Sequence, residues 1–404
     1  MISVAEALSF VIAGVKPVTV EQVSLPDSLG RVLAEDVASR LTLPPADVSA
    51  MDGYAVRAAD VAEVPVVLKR IGESSAGSGF SGTVGAGETA RIFTGAPLPP
   101  GADAIVIQEN TEVDGLSINI GESVSVGHFV RPAGMDFKEG EILLRAPKVL
   151  TARDIGLAAS MNVPWLKVRR RPRIAILATG NELVMPGEAP AADQIVNSNG
   201  IALAAYVKAL GGDPVDLGIA EDDEDSLVRM LAGARGCDLL VTIGGASVGD
   251  YDLVNKVLGD EGMELNFYKV ASRPGKPLIF GRLGDTPVLG MPGNPVSVGV
   301  AAVIYLRPAM QVMAGLDPQR EPTESALLGH DLEANGQRQE YMRATLTRNA
   351  DGNLVAIPNA AQDSALMAQF AAADCLVVRP PEAPAAAAGE RVAIIPLRLG
   401  TISL

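Results

Sequence analysis

The chain has 404 residues, enough for two to four domains, and 48% of them are hydrophobic, so sizeable cores can be buried. Its net charge of −15, from 48 acidic and 33 basic side chains, repels phosphate backbones and argues against nucleic acid as a partner. The two histidines, His128 and His330, are too few for a zinc site or a Ser-His-Asp triad, so any metal would be held by oxygen ligands.

The N-terminal segment MISVAEALSF has no basic stretch followed by an apolar core, so no signal peptide is expected. The two cysteines, Cys237 and Cys375, fall in apolar strand-like runs and read as buried free thiols of a reducing compartment. A cytoplasmic protein without membrane contact is expected.

Residues 3–15 predict a short amphipathic helix with Val4, Leu8, Val11 and Ile12 on one face. Residues 41–139 are rich in Gly, Pro, Val and Ser, with short alternating runs such as ARIFTG and AIVIQE between turn signals, which predicts a small β domain. The segment TARDIGLAAS predicts a helix capped by Thr151, with Asp154 completing a capping box. With the N-terminal segment, 140–168 is expected to form a linking α+β domain together with 1–40.

From the basic run VRRRPR onward, apolar strands alternate with helices. IAILATG, VDLGIA, DLLVTIGG, KPLIFGRL and PVLGMPG read as strands. SNGIALAAYVKALGG, DDEDSLVRMLAGARG (with Asp222 as N-cap), LVNKVLGD and NPVSVGVAAVIYL read as helices. The last, at 294–306, is expected to be a buried helix that Arg307-Pro308 ends, its apolar run of 296–306 too short to span a bilayer. This pattern predicts a doubly wound α/β domain over 169–318 with a largely parallel sheet. From 319 to 404 the pattern returns to short strands, QEYMRATLTR, NLVAIP, DCLVVR and ERVAIIPLR, predicting a C-terminal β domain. The fold class is thus multidomain, α/β plus β.

Ligands of such sheets bind outside the carboxyl ends of the strands. The loops ATGNE, GIAEDD, GGASVGDYD, SRPGKP and MPGNP are expected there, all on one edge. In GGASVGDYD, Gly244, Gly245 and Gly249 allow close backbone approach to an anion, while Asp250 and Asp252 suit magnesium; Asp252 also reads as a helix N-cap. SRPGKP holds Arg273 and Lys276 on a Pro-Gly turn, either an oxyanion clamp or an exposed basic turn. In MPGNPVS, Asn294 and Pro295 suit a helix start, which leaves Pro292 and Gly293 unexplained. Glu182 and Asp222 are candidate carboxylates; Asp222 with Asp225 also fits a helix cap. In the β domain, Asp52 of SAMDGYAVR stays undecided between turn and site, and TGAPLPPGADAIV reads as a proline-stiffened loop.

Taken in order, SAMDGYAVR, RIFTGAPLPPGADAIV, RPAGMDF, LATGNEL, GGASVGDYD, RPGKP and MPGNPVS resemble the signature segments of the molybdopterin molybdenumtransferase (molybdenum insertase) family, which includes bacterial insertases and a domain of gephyrin. The resemblance covers essentially the whole chain. It implies an elongated homodimer of four-domain subunits, with an α/β part like molybdopterin adenylyltransferase, itself a candidate partner. Its substrates would be molybdate and adenylated molybdopterin, with magnesium-dependent release of AMP. It further implies that Asp52, Thr94 and Asp136 line the site from the β side, across the dimer interface from the α/β pocket. On the α/β side, Glu182, Asp250 and Asp252 would hold the metal and Asp222 would be catalytic. Gly244, Gly245, Ser247, Gly249, Arg273, Lys276, Pro292, Gly293 and Asn294 would bind substrate, with Arg343 and Ser364 from the C-terminal domain. The chain departs from the family pattern in three places: Arg273 stands where Lys is usual, Ala246 where Val is usual, and Asn181 where Asp is also common.

Two other functions fit parts of this pattern. One is the adenylyltransferase that makes the adenylated pterin, from which the flanking β domains and the GGAS loop distinguish the chain. The other is a pterin-binding scaffold without catalysis, against which the retained acidic and basic groups argue. Tungstate has nearly the charge and shape of molybdate, and the sequence does not separate them.

Overall fold

The N-terminal helix Val4–Gly14 begins with a capping box in which Ser3 and Glu6 bond each other reciprocally. Val4, Ala7, Leu8 and Val11 are its buried face. That face packs in the α/β core with Ile174, Phe280 and Leu306, rather than in the linking layer where the sequence had placed it. Ile12 is only partly buried against the same core. The computed structural model describes residues 1–245, 253–320 and 324–397.

The linking layer is a four-stranded sheet in which Trp165–Arg169 lies between Val20–Ser24 and Val32–Leu33. Its core includes Leu33, Leu144, Leu150 and Met161. The helix Ala152–Ser160 packs on it with the expected Thr151–Asp154 capping box. Between its two halves is inserted the β domain, whose main sheet has six strands and a core around Tyr54, Val56, Leu68 and Ile118.

The α/β sheet has six strands. Four are parallel neighbours: Asp213–Ala220, Arg173–Thr179, Leu239–Ile243 and Thr286–Met291. Pro277–Leu283 and the strand Glu264–Lys269, which the sequence did not reveal, then pair antiparallel to complete it. All seven residues of Arg173–Thr179 except the first are buried, which is why this strand reads as a continuous apolar run.

Two sequence expectations need correction. The N-cap of the helix Glu224–Leu231 is Asp223, whose carboxylate accepts from the Ser226 N–H at 2.8 Å, and not Asp222. Arg307-Pro308 also does not end the apolar helix: Pro295–Ala301 runs through a π-helical turn, Ala302–Leu306, into Arg307–Met313. The wider turn changes the hydrogen-bond register just where Pro308 lacks an N–H, so the helix carries on. Among the described residues, Pro295–Met313 is long and apolar enough to cross a bilayer, and most of it is buried inside the protein.

The C-terminal sheet closes on itself, because Gln339–Arg348 pairs with both Leu354–Pro358 and Cys375–Arg379. A closed sheet leaves few free edges. Cys375 is buried inside this barrel, and burial pushes its thiol up to about 12; Cys237 is buried as well, and neither forms a disulfide. The architecture is multidomain, α/β plus β.

Candidate active site

The carboxyl ends of the four parallel strands are tied together. Gly180 N–H donates to the Ala220 carbonyl at 3.3 Å, and Gly244 N–H donates to that of Met291 at 3.1 Å. The Thr179 hydroxyl donates to the Ile243 carbonyl at 3.4 Å. The loops ATGNE, GIAEDD, MPGNP and the start of GGASVGDYD therefore share one edge. SRPGKP reaches that edge for a different reason than expected. It enters the antiparallel strand Pro277–Leu283, whose first residue pairs with Lys269, instead of leaving a parallel one. Ser247, Gly249, Asp250 and Asp252 lie outside the described residues.

Close backbone approach is built into this edge. Gly244 has φ +92°, and a Cβ there would sit 2.7 Å from the Thr179 carbonyl oxygen. A side chain is thereby excluded on steric and conformational grounds. Gly245, also at positive φ, follows it. A Cβ on Gly293 would come within 3.9 Å of the Gly244 Cα, so the two glycine loops meet. At Gly180, φ +141°, a Cβ would lie 2.3 Å from a Glu182 carboxylate oxygen. The Glu182 carboxylate is exposed and folded over that bare backbone.

Asp222, released from capping, is held to the neighbouring loop instead. Asn181 N–H donates to its carboxylate at 3.2 Å, and Asp222 N–H donates to the Asn181 side-chain oxygen at 3.0 Å. An Asn at position 181 provides a neutral acceptor here, where an Asp would set two carboxylates against each other. Glu182 and Asp222 thus stand on adjacent loops, offering hard oxygen donors.

The cations come from the other side of the edge. Arg273 is exposed and 3.4 Å from Glu340 of the barrel, because Ser272–Arg273 pairs with Gln339 and Glu340. The exposed Lys276 ammonium has no acidic partner among the described residues. Asn294 occupies the N-cap of its helix without capping it. Its amide donates to the Ser364 hydroxyl at 2.8 Å, and the Ser364 carbonyl accepts from Val296 N–H at 3.1 Å. The barrel thereby satisfies the helix N-terminus. Pro292, by contrast, is buried. Arg343 is 1% exposed, and its guanidinium donates to the carbonyls of Asp363 and Ala361 at 2.9 and 3.0 Å. It fixes the segment that presents Ser364, and its own guanidinium is turned inward on the chain.

In the β domain, both the N–H and the hydroxyl of Thr94 donate to one oxygen of Asp52, at 2.7 and 2.8 Å. Those two bonds, the backbone one foremost, hold the Asp52 carboxyl below the usual carboxylate range, and the nearby Arg91 adds to the effect. The Arg91 guanidinium lies over the Tyr54 and Phe93 rings at 5.1 and 5.0 Å. Asp136 is exposed at the seam with the linking layer, where its N–H donates to the Leu43 carbonyl at 3.1 Å and the next residue, Phe137, enters the linking core. Among the described residues, no hydrogen bond joins Asp52, Thr94 or Asp136 to the α/β edge.

Sequence reasoning passed over three residues that the structure places at these sites. Asn199 donates to the Gly293 carbonyl at 2.6 Å and fixes that loop; the polar triplet Asn197-Ser198-Asn199 at a helix start was its signal. Glu340 neutralises Arg273, which only the pairing of distant strands reveals. Arg91 alternates with Phe93 in ARIFTG, on the same face.

Known proteins bear on this geometry. Residues 2–162 match the MoeA N-terminal region (domain I and II), 175–312 a probable molybdopterin binding domain, and 325–397 the MoeA C-terminal region (domain IV). The molybdopterin molybdenumtransferase of Nostoc sp. is 40% identical over 78% of this chain and 75% of its own length. That of Haemophilus influenzae is 33% identical over 94% of each chain. The crystal structure of the molybdopterin biosynthesis MoeA protein of Pyrococcus horikosii superposes with a TM-score of 0.87 at 31% identity, covering 99% of this chain and 100% of that one.

Proposed function

This chain belongs to the molybdopterin molybdenumtransferase family, and from that premise we propose that it transfers molybdate into adenylated molybdopterin with magnesium-dependent release of AMP. That it is a transferase of molybdenum cofactor synthesis follows from the family. The fuller reaction is the reading that its site supports best, and it rests above all on the edge where Glu182, Asp222, Lys276 and the Gly244–Gly293 contact converge.

Releasing AMP means cleaving a phosphoanhydride, which requires charge neutralisation on the phosphates. Magnesium takes oxygen ligands, and binds through one or two carboxylates plus substrate phosphates and water. The exposed carboxylates of Glu182 and Asp222 fit that donor set, and Asp250 and Asp252 would add to it. When bound, the ion supplies Lewis-acid neutralisation of the pyrophosphate. The chain's own groups do the rest. Lys276, with Arg273 once displaced from Glu340, holds the molybdate dianion. The backbone at Gly244 and Gly293 admits the phosphates closely, as no side chain there intervenes. The Asn181–Asp222 pair holds the Asp222 carboxylate along the edge. Arg343 acts through the Ser364 segment.

Asp52, with Thr94 keeping it ionised, and Asp136 would complete the site from the second subunit of a homodimer. This reading rests on the family resemblance and on the lack, among the described residues of one chain, of any hydrogen bond between those residues and the α/β edge. The enzyme would act in the cytoplasm, receiving its adenylated substrate from molybdopterin adenylyltransferase, without nucleic acid or membrane. The test is complementation of a bacterial strain lacking the insertase, scored by a molybdoenzyme activity. Restored activity with the wild-type chain, and its loss with Glu182→Gln, is expected. Failure of the well-expressed wild-type chain to restore it would overturn the reading.

A further inference from the structure

A cavity of about 180 Å³ lies at the junction of three parts of the fold. Val4, Ala5 and Leu8 of the N-terminal helix line it, as do Val303, Ile304 and Arg307 of the long core helix and Gln339, Tyr341 and Ile395 of the barrel. Arg307 follows the π-helical turn and is 5% exposed. Its Nε is buried without a hydrogen-bond partner, and no carboxylate pairs with the side chain among the described residues. A buried guanidinium N–H left without a partner is costly, because the hydrogen bond it made to water is not replaced. No acidic residue lines the cavity among the described residues, whereas Arg320 adds a second cation. Tyr341 accepts from the Gln339 amide at 2.8 Å, which leaves its own O–H free to donate.

We infer that this cavity binds a small tetrahedral oxyanion of the phosphate type, with Arg307 as its principal ligand and the Tyr341 hydroxyl and Arg320 as supporting donors. The volume is far more than one water needs and well below that of pockets for large organic ligands, on the order of 300–1,000 Å³. The lining offers two cations and a hydroxyl donor beside the neutral amides of Gln319 and Gln339. An occupant would fasten the N-terminal helix and the core helix to the barrel, so binding should stabilise the whole chain. The inference does not rest on the transferase reading, since Arg307, Tyr341 and Arg320 have no part in that reading.

The experiment is calorimetric titration of the full chain with inorganic phosphate in a chloride buffer, with sulfate and molybdate as separate arms. Lys276→Ala, Arg307→Met and Tyr341→Phe chains are titrated beside the wild type. One saturable phosphate site is expected that survives Lys276→Ala, weakens at least ~10-fold in Arg307→Met and weakens less in Tyr341→Phe. In anion-free buffer, Arg307→Met should melt at the same temperature as wild type or higher, because an unpaired buried charge is removed. If Arg307→Met does not fold, Tyr341→Phe still decides through its weakened binding. No saturable binding, binding unchanged in both cavity variants, or binding abolished by Lys276→Ala would overturn the inference. So would phosphate-soaked crystals showing only water beside Arg307. Molybdate binding here more tightly than phosphate would keep the site and reassign its natural occupant to the substrate oxyanion.

Discussion

The Asn294 amide donates to the Ser364 hydroxyl across 2.8 Å, joining the ligand edge of the α/β domain to the C-terminal barrel. Ser364→Ala removes that acceptor but keeps the backbone bond from Val296. Because the pair is exposed, stability should fall by only about 1 kcal/mol or less. Turnover should fall further, since Asn294 is freed to swing away from the edge. Thermal melting and rate measured together check this; equal, small losses would reduce the pair to a domain latch.

Arg343→Met should be severe for stability. The guanidinium is buried and serves the carbonyls of Ala361 and Asp363, which would be left without donors. A loss of about 2–4 kcal/mol is expected, read as a shift in denaturant midpoint. A variant as stable as wild type would show that water takes over both carbonyls.

Thr94 provides the next prediction. Its two bonds depress the Asp52 pKa, so their stabilisation is present above the unfolded carboxyl value of about 3.9 and is lost as pH falls through the lower folded value. Thr94→Val keeps the N–H and removes the hydroxyl, so the Asp52 pKa should rise part of the way back. Carboxyl-carbon NMR titration measures it. An unchanged pKa would mean that the backbone N–H alone sets the charge.

Asp222 and its neighbour Asp223 have separate jobs. Asp223→Ala removes the helix cap and should cost ~1 kcal/mol while leaving turnover near wild type. Asp222→Ala should barely change stability and lower turnover on the order of a hundredfold. Melting curves and rates on both variants separate the roles, and the reverse pattern would return Asp222 to structure alone.

The parallel strands were legible because burial on both faces leaves unbroken apolar runs, as in IAILATG. The capping box at Thr151 was legible because its chemistry is local. The strand Glu264–Lys269 was not, since at the sheet's edge only Phe267 of its six residues is fully buried, and its apolar pattern is weak. The cap at Asp223 was missed because adjacent aspartates fit the same local rule, and only the reach from Asn181 distinguishes them. The continuation past Pro308 depended on a π-helical turn that no pattern of apolar residues encodes. The site's glycines and charges stood out as loops, but the Arg273–Glu340 and Asn294–Ser364 links join strands and helices far apart in sequence, so only the fold brings them together.

The transfer reaction itself is tested most directly by AMP release from adenylated molybdopterin by the purified chain, with molybdate and magnesium each varied. AMP release requiring both is expected. Lys276→Ala should raise the molybdate concentration for half-maximal rate by on the order of tenfold or more, with substrate binding retained. AMP release at the same rate without molybdate or without magnesium, or no release at all by a folded protein that binds the adenylated pterin, would contradict the account.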